Sequence, residues 1–196
     1  KMKKYLILMA AGSGTRMNKN TPKQFIEVSG IPIIAHTYKQ FKNITNLKTI
    51  IVLPENKFEY WKNYISNILK EENIKYVRGG NKRFISVTNG LKTISNKKGF
   101  VAIHDGVRPL ISETLIKTLY ESANKLGNAI PYTPVINTLR KYKAESNLLV
   151  DRNNYINIQT PQVFKIKNIL NSFKLIKGSD YTDESSVIEK SGEKIN

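Results

Sequence analysis

Residues 4–17 read KYLILMAAGSGTRM. The apolar run over 4–10 stops at Gly12, which predicts a short buried β-strand followed at once by a glycine-rich turn. A turn of that kind lets backbone N–H groups approach phosphate oxygens closely. Its spacing matches neither the dinucleotide-binding glycine fingerprint nor the Walker pattern, so those two readings lose support. The cations come just after the turn instead. Arg16 can fork onto phosphate oxygens, and Lys23, inside Pro22-Lys23-Gln24, adds a point charge. Two cations on one loop suit a triphosphate whose charge builds up as it is attacked.

Outward from this turn, strand and helix alternate. Apolar positions at helical spacing behind Pro32 predict a helix over 32–41, and LKTIIVL at 47–53 predicts a strand ended by Pro54. Residues 57–71 predict a helix with Phe58, Trp61, Ile65, Ile68 and Leu69 on one face. KYVRGG at 75–80 is a third strand ending in a glycine pair, and 83–94 is helical. FVAIHD at 100–105 is a fourth strand ending in an acid, followed by a helix over 112–126 with Ser112 as its cap and Glu113 in its first turn. This alternation predicts an α/β fold: a Rossmann-like, mostly parallel sheet flanked by helices.

The chain changes character over 128–158, where two extended segments surround a polar turn. They predict a long hairpin, an arm over about 131–158. Such an arm either reaches a neighbouring subunit or folds onto its own sheet. No repeat or linker divides residues 1–196, so one domain with an arm is expected. Residues 185–191 predict a helix capped by Gly192, and Gly192–Asn196 opens what should be another strand, so further C-terminal residues are expected to be missing.

Composition narrows the chemistry. A chain of 196 residues, 40% hydrophobic and 24% charged, fits a globular domain. No apolar run approaches the ~20 residues of a membrane span, and no signal peptide is expected. The absence of cysteine excludes disulfides and thiolate metal sites, and two histidines, His36 and His104, make a multi-histidine site nearly excluded. The net charge of +17 has a nucleic-acid reading and a coding-bias reading. Only six of the 32 basic residues are arginine, and the lysines are scattered rather than blocked, which favours the second.

The opening Ala10-Ala11-Gly12, Gly14, Arg16-Met17 and Pro22-Lys23-Gln24 resembles that of the sugar-phosphate nucleotidylyltransferases. Within them it is most similar to the 2-C-methyl-D-erythritol 4-phosphate cytidylyltransferases of non-mevalonate isoprenoid synthesis. Gly30-Ile31-Pro32, Gly79-Gly80 with Arg83 and Ser86-Val87, and His104-Asp105-Gly106-Val107-Arg108-Pro109 follow in family order. Val150-Asp151-Arg152, Gln159-Thr160-Pro161-Gln162 and Thr182-Asp183-Glu184 complete the set, so the resemblance covers essentially 4–195.

The resemblance implies roles. Ala10, Ala11, Gly12 and Gly14 match the backbone cradle for CTP, and Arg16 and Lys23 match the stabilisers of the transition state. Gly80, Arg83 and Ser86 match the cytosine-reading segment, and Asp105 matches the acid that positions Mg²⁺. Thr138, Arg152, Thr160 and Thr182 match positions that hold the methylerythritol phosphate, with Arg152 orienting the acceptor phosphate. In the family Thr138 and Arg152 come from the partner's arm, which implies a homodimer. A cytoplasmic enzyme with small-molecule substrates and no nucleic-acid or membrane partner is expected.

The chain departs from the family's pattern at Gly106-Val107, Asn137 and Glu184, and its late Asn-Ile-Lys strand is absent. A ribitol 5-phosphate cytidylyltransferase of teichoic acid synthesis is the alternative; a nucleic-acid binder and a guanylyl- or adenylyltransferase rank below it. On the residues alone, His36 reads as packed or capping and His104 as a core or loop-fixing residue. Asp105 could cap a turn, and Arg108 could pair with Asp105 or with Asp183-Glu184. Asp183-Glu184 could face a metal or begin a helix.

Overall fold

The computed structural model describes residues 2–12, 21–143, 146–176, 178 and 180–196. In chain order the elements are β1 (Lys4–Met9), β2 (Glu27–Val28), β3 (Ile31–Pro32), α1 (Ile33–Lys39), β4 (Leu47–Leu53), α2 (Phe58–Leu69) and β5 (Ile74–Arg78). Then come α3 (Arg83–Lys92), β6 (Phe100–Asp105), α4 (Glu113–Leu126), β7 (Asn128–Ala129), β8 (Tyr132–Pro134), β9 (Leu139–Lys143) and β10 (Ser146–Val150). The last are β11 (Ile156–Ile158), β12 (Gln162–Lys165), α5 (Ile166–Leu175) and α6 (Glu184–Lys190).

Successive residues of β1 point to opposite faces, and both faces are apolar. Leu6 and Leu8 join one core with Ile51 and Leu53 of β4, covered by Ile34, Ile65 and Tyr120 from α1, α2 and α4. Tyr5 and Ile7 join the other with Ile50 and Val52, covered by Val87, Leu91, Ile169 and Val187 from α3, α5 and α6. Strands buried on two faces read as continuous apolar runs, which is why KYLILM and FVAIHD were legible. The sheet order is β5-β4-β1-β6-β12-β7. β5, β4, β1 and β6 are parallel, and β12 runs antiparallel to both β6 and β7. The chain leaves β1 to one side for β4 and β5, then returns to the other side for β6. The switch between β1 and β6 opens a crevice at their C-terminal ends, where open α/β sheets bind ligands.

The expected capping of α4 holds: Ser112 Oγ accepts from the Leu115 N–H at 3.1 Å. So does that of α6. Gly192 has φ +92°, its N–H reaches the Glu189 carbonyl at 2.9 Å, and the Glu193 N–H reaches Ile188 at 3.3 Å. Two elements go beyond the sequence reading. β12 is four residues long and takes its place from partners far away in sequence. α5 does carry a local signal, the helical spacing of Ile166, Ile169 and Phe173. The strand expected over 192–196 is not formed. Asn196 receives one backbone hydrogen bond, from the Ile130 N–H at 2.9 Å, while the Asn128 side chain donates to the Lys194 carbonyl at 2.8 Å. Side-chain clamping, rather than a ladder, holds that segment beside β7.

The arm over 131–158 is present as two nested antiparallel ladders, β8 with β11 and β9 with β10, separate from the main sheet, while residues 128–129 form β7 at the edge of that sheet. Its apolar side chains face outward: Ile136 is 79% exposed, Leu149 66% and Leu148 63%. No helix among the described residues is long and apolar enough to cross a membrane.

Candidate active site

The site grows from the end of β1. Ala10 continues the ladder, its N–H on the Val52 carbonyl at 2.8 Å. Beyond it the backbone is held by one side chain, Gln24, 2% exposed, whose Nε2 donates to the carbonyls of Ala10 at 2.6 Å and Gly12 at 2.8 Å. A trans peptide points its N–H opposite its carbonyl, so the Ala11 N–H faces away from Gln24. Gly14 and Arg16 lie outside the described residues. Lys23 begins a 3-10 turn, Lys23–Phe25, fastened on both sides: Gln24 grips the β1 loop, and Phe25 stacks on Trp61 with ring centroids 3.9 Å apart. No described residue pairs with the Lys23 ammonium.

The glycine pair after β5 packs against this loop. A Cβ on Gly79 would come within 2.4 Å of Ala11 Cβ, so glycine is what allows the two loops to touch. The next N–H, of Gly80, donates to Ser86 Oγ on α3 at 2.9 Å. Ala11, Gly79, Gly80 and Ser86 thus form one continuous wall.

Across the switch, Asp105 ends β6. Arg83 Nη1 reaches its Oδ1 at 2.8 Å, and Arg108 Nε reaches its Oδ2 at 2.8 Å. Burial raises the Asp105 carboxyl, but Arg83 and then Arg108 outweigh it and hold the group below the usual carboxylate range. Arg83 also forks onto Glu184, with Nε–Oε1 at 2.9 Å and Nη2–Oε2 at 3.0 Å. Burial pushes the Glu184 carboxyl up, against the pull of Arg83. Arg108 is therefore the structural partner of Asp105, one of its two expected partners, and it further donates to Gln159.

His104 is fully buried and held at both nitrogens. Its Nε2 lies 3.0 Å from the Arg108 carbonyl and its Nδ1 2.9 Å from Thr160 Oγ1. A carbonyl only accepts, so Nε2 carries the hydrogen and Nδ1 accepts from the Thr160 hydroxyl. The Thr160 oxygen in turn accepts the Asp105 N–H at 3.3 Å. Burial lowers the His104 pKa to about 4, so the ring is neutral near pH 7 and fixes the loop, as read from the sequence. His36, on α1, caps no helix end; its ring nitrogen meets the Val28 carbonyl at 2.9 Å and ties the β2–β3 hairpin to α1. Asp183 begins a helix. It N-caps α6, accepting from the Ser186 N–H at 3.1 Å and from Gln162 Nε2 at 2.8 Å. Burial raises its carboxyl, but hydrogen bonds from Ser185, Ser186 and Gln162 keep it below the ordinary value.

Arg83, Asp105, Thr160 and Thr182 share one cavity of about 540 Å³ with Arg108, Gln159, Gln162 and Asp183. Thr138 and Arg152 do not join it. They line a separate hollow of about 440 Å³ on the arm, with Leu139 and Leu149. The sequence reading assigned no role to Gln24, Gln159 or Gln162; their amides act on backbone and side chains that only the fold brings near.

Asp105 is the acid suited to a divalent cation. Each of its oxygens uses one lone pair on an arginine and keeps one. Among the described residues no group of three or more His, Cys, Asp or Glu side chains could hold a metal by itself. Mg²⁺ commonly takes one or two carboxylates and completes its shell with substrate phosphate and water, so this donor set fits it.

A parallel sheet with the loop after its first strand and the acid ending β6 on either side of its switch crevice fits the nucleotidyltransferases of the α/β class. The comparisons define the family. The model of 2-C-methyl-D-erythritol 4-phosphate cytidylyltransferase (IspD) matches residues 5–196, and the chain belongs to that family. It is 35% identical over 189 residues to the enzyme of that name from Porphyromonas gingivalis, covering 96% of this chain and 84% of that one. It is 37% identical over 191 residues to the one from Azobacteroides pseudotrichonymphae, covering 95% and 84%. The crystal structure of 4-diphosphocytidyl-2C-methyl-D-erythritol synthase from Anaerococcus prevotii superposes with a TM-score of 0.83 at 29% identity, covering 99% of this chain and 85% of that chain.

Proposed function

We propose that this protein transfers CMP from CTP to 2-C-methyl-D-erythritol 4-phosphate, giving 4-diphosphocytidyl-2-C-methyl-D-erythritol and pyrophosphate in isoprenoid synthesis. Family membership supports the reaction. The observation that carries it is the packing of Ala11, Gly79, Gly80 and Ser86 beside β1, next to β6 with Asp105 at its end, which we read as a base-and-phosphate cradle opposite an acid. The acceptor phosphate attacks the α-phosphorus, a P–O bond forms there, the α–β bond breaks and pyrophosphate leaves. The nucleophile is already anionic, so no general base is needed, and a neutral, hydrogen-bonded His104 agrees with that. The work is positioning and charge stabilisation.

In this reading Ala10, Ala11, Gly12 and Gly14 cradle the triphosphate, Lys23 and Arg16 take up charge on the α-phosphate and pyrophosphate, and Gly80, Arg83 and Ser86 form the cytosine side. Asp105 would hold Mg²⁺, which neutralises triphosphate charge when bound. Thr160 and Thr182 hold the acceptor, and Thr138 and Arg152 do so from the arm of a second copy. Residues 1–196 act as one nucleotidyltransferase unit within a homodimer. Its reactants are small anions, which fits a cytoplasmic enzyme without nucleic-acid or membrane partners.

The test is pyrophosphate release from CTP and Mg²⁺ with methylerythritol phosphate and, in parallel, ribitol 5-phosphate. Release with the first alone is expected. Release with ribitol phosphate alone would overturn the acceptor and keep the chemistry.

A further inference from the structure

Glu184 is a carboxylate 1% exposed, and it does not line the cavity. Acidic side chains are almost never buried that fully unless paired. Helix capping does not account for it, because its neighbour Asp183 already caps α6. An acid that only complemented the helix end would do so from solvent. Instead both Glu184 oxygens are taken by the Nε and Nη2 edge of Arg83, at 2.9 and 3.0 Å. The guanidinium is planar and its donors are fixed in a fork. Once that edge is held, Nη1 is the group turned to Asp105, at 2.8 Å. A buried acid on α6 thus sets how an arginine on α3 meets the acid at the end of β6.

We propose that Glu184 is a positioning residue for nucleotide binding. By holding one edge of Arg83 it lets Arg83 give Asp105 a single N–H, on Oδ1, beside the one Arg108 gives Oδ2, so Asp105 keeps a lone pair on each oxygen for the divalent cation that accompanies the triphosphate. This rests on the reading of Asp105 as the cation-holding acid. With Glu184 neutral, Arg83 has a second edge to offer and a carboxylate already in contact. A fork closing on Asp105 would add a second N–H to Oδ2, which Arg108 already holds, and fill that oxygen against the cation.

The experiment is calorimetric titration of CTP into the protein at graded Mg²⁺, with folding checked by circular dichroism. Glu184→Gln should raise the Mg²⁺ concentration for half-maximal CTP binding by about 10- to 100-fold, the range for partners that orient a metal ligand. Glu184→Asp keeps the charge and should recover part of the shift; it also carries the test where Glu184→Gln does not fold. A lower melting temperature with an unmoved Mg²⁺ midpoint would overturn the proposal. CTP binding without any Mg²⁺ dependence in the parent would overturn it too. No acceptor enters this titration, so a wrong acceptor would silence pyrophosphate release and leave the Mg²⁺ midpoint readable.

Discussion

The cavity at the sheet switch and the arm solve opposite problems. Around Asp105 the acids are half to fully buried, and each is answered from within the chain: Asp105 by two arginines, Glu184 by a fork, Asp183 by an amide and two serines. On the arm the polar backbone is answered by the two ladders, while Ile136, Leu148, Leu149 and Ile156 meet solvent. The first region completes itself by folding. The second carries Thr138 and Arg152 on a surface whose apolar side chains lack a covering layer among the described residues. Several large apolar side chains exposed on one hairpin suit an interaction surface, which agrees with the proposed arm that works against a second copy.

The largest expected effect lies in the self-contained region. Lys23→Ala should lower turnover by about 10²- to 10³-fold, the usual loss for one charge-stabilising donor, with little change in melting temperature. Near-normal turnover would remove Lys23 from the chemistry and leave the turn as packing alone.

The same region should show a pH signature. The folded His104 pKa, about 4, lies below its ordinary value near 6.5, so the unfolded state takes up the proton first. The contribution is fully present above about pH 6.5 and is lost as pH falls through about 4, amounting to roughly 3 kcal/mol. Asp105 and Asp183, also depressed, lose their contributions at lower pH, below the usual carboxylate range. Thermal unfolding followed from pH 7 to 5 checks this, and His104→Gln should flatten the slope. An unchanged slope would mean that His104 is not the group responsible.

The arm is tested by mixing. Lys23→Ala and Arg152→Ala subunits, each weak alone, should recover about a quarter of parental activity when exchanged into mixed dimers, because one site then has an intact core and an intact arm. No recovery would place Arg152 in its own subunit's site, or outside catalysis, and would break the contrast between the two regions. The smallest effect is expected from Leu148→Ser with Leu149→Ser. Exposed positions change monomer stability by about 0.5 kcal/mol or less, so the expected outcome is a shift from dimer to monomer in light scattering with the monomer still folded.

Local pattern made much of this legible. Apolar runs over 4–10 and 100–105, the glycines at 79–80 and the Ser112 cap are short-range signals, and strand, strand end and helix form where they say. The helical spacing behind α5 was equally local. β12 was not, since four residues become a strand only between β6 and β7. The candidate site divides the same way. Lys23, Asp105 and the glycine turn are visible as motifs, while their supports are not.

The sequence by itself determined the alternating α/β order and the arm, because periodicity and backbone preference act within a few residues. Only the tertiary structure decided that Gln24 holds the carbonyls of Ala10 and Gly12, that His104 is neutral and fixed, and that Glu184 grips Arg83 across 101 residues. Burial and hydrogen bonding depend on what the fold brings near, and a linear string carries no record of those distances.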